Sequence, residues 1–531
     1  MDATAVEGRR RSTGPALATV CAILFLTFLD TTIVSVALAD IQSDLHAGVA
    51  SLQWVVSAYA LVFASLMLGF GALSDRVGRK RVMLSGVVVF CAGSVVGALA
   101  PNTTVLIGAR ALMGVGAAAS EPGTLSVIRH LYPERRSRSR ALGVWAAVSG
   151  LALALGPVIG GILVGLGSWR TVFWFNLAAG AAALIAGVVT IPESRSEEPT
   201  SADLAGNVLI AAALGSLIIA LIEGEGAGYR SPWIVTLFAA SAIAAVSFVV
   251  VERRSSAPTL DVRYLREPAF SGALVVAFTV YFAIFSIFFF VALYLVEVVG
   301  YDGFRIAAQF APMTVTMVVA SLFAGRWVAR AGPRAPMTIG CLSAGVGVLL
   351  TEIALRGNLS ETGLASSLAL AGLGFGITMV PVTSVALAVV PGERSGMAAS
   401  ATNTSRELGS VVGVAVLGSM ANGFLTHGLS ARLAHLGVPA AFRQVVIDAI
   451  ERGEVPDQAG LAAYQESYGP VVTKVVRAAY DAFHAGLNVA LVVSGIAILV
   501  SGAVSWTTLA PSRRVAPLLL GGSTTGPGPR G

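Results

Sequence analysis

Charged side chains are scarce in this 531-residue chain, and those that fall inside long apolar runs are where chemistry could be done. Asp30, Arg110, Glu121, Arg406 and Glu407 all stand in such runs. In hydrocarbon, an ionisable group costs several kcal/mol unless it is paired, hydrated or neutralised by a proton, so each is a candidate functional residue. The chemistry open to them is to load and release protons or to balance the charge of a cationic solute. Covalent chemistry is poorly served. Cys21, Cys91 and Cys341 lie apart in apolar runs, and His46, His130, His427, His435 and His484 form no ligand cluster. The two lysines, Lys80 and Lys474, follow no phosphate-binding glycine loop. No metal, no cofactor, no ATP hydrolysis and no enzymatic activity are expected.

The elements that carry these residues must sit in lipid. Hydrophobic residues make up 55% of the chain and charged residues 12%, against about 25% charged in ordinary soluble domains. The mean hydropathy is +0.80. A membrane span needs about 20 mostly apolar residues. Fourteen such runs are read, near 16–39, 51–73, 82–100, 103–125, 142–166, 171–192, 203–223, 232–251, 269–299, 306–328, 335–356, 363–390, 396–425 and 483–508. With the N-terminus inside, most of the 35 Lys and Arg fall on the cytoplasmic side, which places both termini there. The net charge of +6 then reflects topology and not nucleic-acid binding. Segment 426–482 is the one long extramembrane piece, with amphipathic spacing over Ala441–Glu451 suited to a surface helix. Residues 511–531 read as a disordered tail.

An internal repeat divides the chain. Gly71-Ala-Leu-Ser-Asp75-Arg76-Val-Gly78-Arg79-Lys80-Arg81 is echoed 254 residues later by Gly325 to Arg334, with Ala329 in place of Asp75. Pro133 and Pro391 introduce a second echo at an offset of 258. Paired halves of this kind build many transporters, with the solute handled between them near the midplane.

These features resemble the major facilitator superfamily, and within it the fourteen-helix drug:proton antiporters. The Gly71–Arg81 loop is similar to the superfamily's most recognisable motif. Leu29–Ala39 is similar to a first-helix motif, with Ser35 and Ala39 as departures, and Leu106–Gly116 to a fourth-helix motif, with Met113 as a departure. Gly150-Leu-Ala-Leu-Ala-Leu-Gly156-Pro157-Val-Ile-Gly160-Gly161 is similar to the fifth-helix antiporter motif. Ser168–Asn176 resembles an element of the sixth helix, read here as an interfacial aromatic anchor. Asn403-Thr-Ser-Arg406 resembles a string in the thirteenth span, with Glu407 as a departure that adds an acid.

The resemblance implies an all-α integral membrane protein. Two pseudo-symmetric six-helix bundles would occupy 16–192 and 269–510, with two inserted helices in 193–268 and a cytoplasmic tail over 1–15. It implies proton-coupled efflux of lipophilic drugs or antibiotics, cationic ones included, from the plasma membrane by a monomer that alternates access. Gly71, Asp75, Arg76, Gly78, Arg79 and Lys80 would form a cytoplasmic latch. Gly150, Gly156, Pro157, Gly160 and Gly161 would form a helix interface. A specific exporter of a self-made antibiotic, siderophore or amino acid has the same signature, and a nutrient symporter fits it less well.

Depth arithmetic links two candidates. Asp30 lies about 21 Å into its span at 1.5 Å per residue, and Arg110 about 20 Å from the same side. An Asp30–Arg110 contact, direct or through water, is therefore possible, and protonating Asp30 would break it. Arg406 and Glu407 point about 100° apart and do not simply neutralise each other. Glu121 either attracts a cation or snorkels to the cytoplasmic surface. Glu223, Glu297 and Glu352 fall near outer span ends and are expected to meet solvent. Of Tyr281, Phe282, Phe285, Phe288, Phe289 and Phe290, some could line a drug cavity by stacking or cation–π contact, and most are expected to face lipid.

Overall fold

A computed structural model describes residues 3–194, 204–255, 260–356, 360–391, 395–435 and 470–509. Among them every regular element is a helix, as a chain in lipid requires, because only internal hydrogen bonds can satisfy its backbone there. The first half contains α1 (Ala3–Ile33), α2 (Leu38–Leu45), α3 (Val49–Val77), α4 (Arg79–Ala98), α5 (Thr103–Leu131), α6 (Arg135–Leu166) and α7 (Arg170–Thr190). Next come α8 (Leu204–Ala227) and α9 (Pro232–Arg254). The second half contains α10 (Pro268–Ser286), α11 (Ala292–Glu297), α12 (Gly303–Ala331), α13 (Arg334–Leu355), α14 (Glu361–Val389), α15 (Ser395–His435) and α16 (Pro470–Thr508).

Twelve of the described helices are long and apolar enough to cross a membrane, or thirteen when the two segments of α6, bent by 41°, count as one span. A further helix, α15, occupies the place of the run at 396–425. It continues to His435, and α16 begins at Pro470, so helix takes up both ends of the segment expected to be extramembrane. The amphipathic stretch around Ala441–Glu451 and the tail 511–531 lie outside the described residues.

The repeat is visible as geometry. Both α3 and α12 are 29 residues long and end on a glycine with positive φ, Gly78 at 128° and Gly332 at 76°. In each case the next helix starts within two residues, a reversal that an L side chain adopts only under strain. The side on which these two helices end is called the loop face. At the opposite, cap face, Asn102, Asp302 and Ser360 accept from the backbone N–H three residues on, at 3.0, 2.8 and 3.1 Å. These side-chain acceptors satisfy donors that the starts of α5, α12 and α14 would otherwise leave open.

Helices α1 and α3–α7 pack on one another, as do α10 and α12–α16, and the two groups meet along two seams, α6 against α12 and α3 against α15. At the first seam the backbones touch: a Cβ on Gly161 would collide with the carbonyl oxygen of Gly303. At the second, Gln53 occupies the space that a side chain on Gly418 would need. Helix α8 lies against both α3 and α15, and α9 lies outside α8.

The aromatic run of the ninth span corrects an expectation. Tyr281, Phe282, Phe285, Phe288, Phe289 and Phe290 are all buried inside protein. A π-helical turn at Ile287–Val291 interrupts the α-helix, and this turn and α11 pack on the 3₁₀ turn Val34–Ala37 of the first half. Protein neighbours on both sides of this run, and not lipid, therefore cover its rings.

The positive φ of Gly332 yields a prediction. Gly332→Ala should cost about 1–2 kcal/mol, read as a lower melting temperature of the purified protein, whereas alanine at the exposed helical Gly108 should leave it nearly unchanged.

Candidate functional site

Asp30 and Arg110 are drawn together by α1 and α5. Arg110 Nη1 donates to Asp30 Oδ2 at 2.5 Å, and both side chains have no exposed surface. The remaining partners come from other helices. Asn176 of α7 donates to Asp30 Oδ1 at 2.5 Å. Arg110 Nε donates to the Val55 carbonyl at 2.9 Å, and its guanidinium stands 4.5 Å from the centre of the Tyr59 ring. Tyr59 in turn donates to the carbonyl of Thr27 at 2.9 Å. Arg110 Nη2 and Asn176 Oδ1 are buried without a hydrogen-bond partner. One ion pair therefore ties four helices, α1, α3, α5 and α7.

Local sequence prepares this carboxylate. Thr31 and Ser35 bond back to the carbonyls three residues earlier, both at 2.6 Å, which favours the tight 3₁₀ turn that follows Asp30. Thr32 is buried and faces α6. Pro157 has no N–H and leaves the carbonyl of Leu153, four residues earlier in α6, without its helical donor, and Thr32 Oγ1 supplies one at 3.1 Å. Gly156 makes room for that hydroxyl: a Cβ there would overlap Thr32 Oγ1. Gly160 admits the Ile33 carbonyl in the same way, and Gly161 faces α12. Gly150 lies near Met379 of α14, which its Cβ would approach to 3.6 Å. The fifth-helix string thus joins the Asp30 segment to the second half.

A second charged group lies between the halves. Asn403 of α15 donates to Glu121 Oε1 of α5 at 3.0 Å. Arg406 Nη1 donates to Asn403 Oδ1 at 3.2 Å and Nη2 to Thr383 Oγ1 at 2.6 Å, with Tyr281 beneath the guanidinium at 5.6 Å. Glu407 is 2% exposed, and its Oε2 has no hydrogen-bond partner. Glu121, Arg406 and Glu407 lie within electrostatic reach of one another. With every group ionised, the cluster carries two acids and one base. One proton or one organic cation balances it. Glu121 is buried, at 1% exposure, and does not snorkel, because Asn403 meets it from the other half.

The Gly71–Arg81 loop is clasped by the end of the sixth span. Arg79 N donates to the Ser194 carbonyl at 2.9 Å, Lys80 N to Glu193 Oε1 at 3.1 Å, and Lys80 Nζ to the Val188 carbonyl at 2.8 Å. Arg81 stands 3.6 Å from Glu193, and Gly71 rests near Pro122. The side chains of Asp75 and Arg76 lie outside the described set.

Other expectations change. Trp169 is 1% exposed and donates to Asp44 at 2.9 Å, with Arg170 paired to the same carboxylate, so this ring clamps α7 to α2, whereas Trp174 of the same element is exposed. Glu352 is 3% exposed and paired with Arg356 one turn on, and Glu223 accepts from Trp54 at 2.8 Å. Glu297 has no described side chain. Sequence reasoning missed Asn176, Asn403 and Glu193 as site residues. Asn176 and Asn403 carried a signal, as amides in apolar runs within strings already noted, whereas Glu193 carried none. Among the described residues no group of three or more His, Cys, Asp or Glu could hold a metal ion.

Comparison with known proteins agrees with this architecture. Residues 20–414 match the Major Facilitator Superfamily model. The multidrug resistance protein Stp of Mycobacterium tuberculosis is 33% identical over 490 residues, 91% of this chain and 89% of that one. The tetracenomycin C resistance and export protein of Streptomyces glaucescens is 31% identical over 517 residues, 95% and 93% of the two chains. In fold, the chain is similar to a bacterial homologue of the human lysosomal transporter Spinster, with a TM-score of 0.63 at 17% identity over 94% of this chain and 99% of that chain.

Two predictions follow from the geometry. Arg110→Met strands a buried carboxylate and should cost about 3–5 kcal/mol, seen as loss of the monodisperse protein peak, and adding Asp30→Asn should recover much of it. Glu193→Gln weakens the clasp on the loop. Trypsin cleavage at Arg79–Arg81 should then quicken about tenfold, the change expected from ~1.4 kcal/mol of lost anchoring.

Proposed function

The chain belongs to the major facilitator superfamily, a family of transporters and not enzymes, and on that premise we propose that it exports lipophilic drugs or antibiotics in exchange for protons. The single observation that carries this reading is the buried group at the meeting of the halves, Glu121–Asn403–Arg406 with Glu407 beside it. Its excess of one acid over its bases favours either a proton or a cationic solute, and occupancy by one disfavours the other. Asp30 and Arg110 form a neutral pair that a proton on Asp30 would open, freeing α1 from α5. Through Thr32 the same segment meets α6 and, beyond it, the second half. Loading and unloading of protons can thus be felt at the seam where the halves must part.

In this reading α15 and α6 join the twelve apolar helices as full spans, which makes fourteen, with α8 and α9 as the inserted pair. The membrane is the plasma membrane, the loop face is cytoplasmic, and Gly71, Asp75, Arg76, Gly78, Arg79 and Lys80 form the latch on that side. A potential of about 100 mV supplies roughly 2.3 kcal/mol per charge moved, so a monomer needs neither ATP nor a cofactor. Relatives named for single antibiotics, tetracenomycin C and methylenomycin A, favour a second reading, export of one specific antibiotic.

Purified protein in proteoliposomes with an imposed pH gradient tests both. Asp30→Asn should lower proton-driven export at least tenfold when equal amounts of folded, reconstituted protein are compared. Glu407→Gln should lower export of cationic drugs about tenfold and spare neutral ones, since only the former need the extra negative charge. Export that persists in Asp30→Asn removes this residue from coupling. Export of one compound among a broad panel selects the second reading.

A further inference from the structure

The inserted pair α8–α9 does more than lengthen the chain, because it is held to the two halves at different places. To the first half α8 is attached at both ends. Glu223 accepts from Trp54 at 2.8 Å near the cap face, and Asn207 lies against Gly69 toward the loop face, where a Cβ would be 3.6 Å from its Nδ2. To the second half, Tyr229 and Ser419 of α15 share a hydrogen bond at the cap face. Tyr229 sits in the α8–α9 turn, beside Gly228 with φ +82°. Its ring lies on Gly224, where a Cβ would meet it at 2.5 Å. Its hydroxyl donates to the Leu221 carbonyl at 3.2 Å, leaving a lone pair for the Ser419 hydroxyl. Ser419 follows Gly418, the residue that admits Gln53 of α3. The cap-face end of the α3–α15 seam is therefore keyed by consecutive residues of α15, one to α3 and one to the inserted turn.

We propose that α8–α9 travels with the first half and that Tyr229–Ser419 is the releasable clasp that keeps α3 and α15 together at the cap face, which makes Tyr229 a positioning residue for the transport cycle. Any carrier whose halves part on that side must break this bond, while the Trp54–Glu223 and Gly69–Asn207 contacts stay intact. The hydroxyl then sets the balance between closed and open cap-face states without touching solute or proton. The inference rests on family membership and on no particular solute.

The test is a labelling rate measured without drug or pH gradient. Ser57 is fully buried and one turn beyond Gln53 on the same face of α3, so Ser57→Cys reports opening of the seam once Cys21, Cys91 and Cys341 are replaced by alanine. A membrane-impermeant maleimide is applied to intact cells and to inverted vesicles. The exposed cap-face residue Pro101, as Pro101→Cys in a separate chain, identifies which preparation presents that face, so an error of orientation is distinguishable from a failure of the clasp. In that preparation Tyr229→Phe should quicken labelling of the Ser57→Cys thiol about two- to tenfold, the population change that one ordinary hydrogen bond allows. Ser419→Ala should do the same, and the double variant should be no faster than either single one. Unchanged rates, a rise in only one of the single variants, additive rises, or a Ser57→Cys thiol that stays unlabelled in every chain would each overturn the proposal.

Discussion

A carboxylate and a guanidinium 2.5 Å apart, with no exposed surface on either, set the terms for the first half of this protein. Removing both charges from water is costly, and their mutual attraction offsets that cost only when the geometry is good and the remaining lone pairs and protons find partners. Asn176, the Val55 carbonyl and the Tyr59 ring, all from helices other than those of the pair, supply most of those partners and leave Arg110 Nη2 without a hydrogen bond. Packing of α1, α3, α5 and α7 is therefore bound to the ionisation of one side chain. Neutralising either member of the pair would change an interaction that four helices share.

The same economy appears where backbone hydrogen bonds are missing. Pro157 leaves a carbonyl in α6 without its helical donor, and the hydroxyl two residues after Asp30 fills the gap. Lipid cannot supply a donor, so a defect in one helix becomes a specific bond to another. Gly156 and Gly160 allow the approach, and Gly161 extends the contact to α12. The bend in α6, the first-helix acid and the seam between the halves are thus one connected structure. Across the other seam, α3 and α15 are bridged by Gln53 at Gly418 and overlaid by the inserted helix α8. The two seams of a pseudo-symmetric protein are for this reason not equivalent.

Much of the architecture was legible because lipid imposes simple rules. Runs of about 20 apolar residues mark helices, and the Gly78 and Gly332 echoes, read as a repeat, stand at matching helix ends with positive φ. The common depth of Asp30 and Arg110 made their contact possible on helix rise alone. What was illegible involved partners at long range. Glu121 admits two readings in sequence, and Asn403, 282 residues away, decides between them. The phenylalanines at 288–290 looked lipid-facing because periodicity does not distinguish hydrocarbon from a protein interior, and the π-turn that packs them has no sequence marker.

The sequence by itself determined that this chain lives in a membrane, that it carries an internal repeat, and that a handful of acids and bases must be accounted for inside. Composition, span length and repeat are local or periodic properties, and they survive in one dimension. Only the tertiary structure decided which charges meet, that Asn176 completes the Asp30 site, that Glu193 clasps the loop, and that α8 lies over one seam and not the other. Those outcomes depend on which helix faces come together, and at hydrogen-bond range a rotation of one residue, 100° on a helix, is enough to exchange one partner for another.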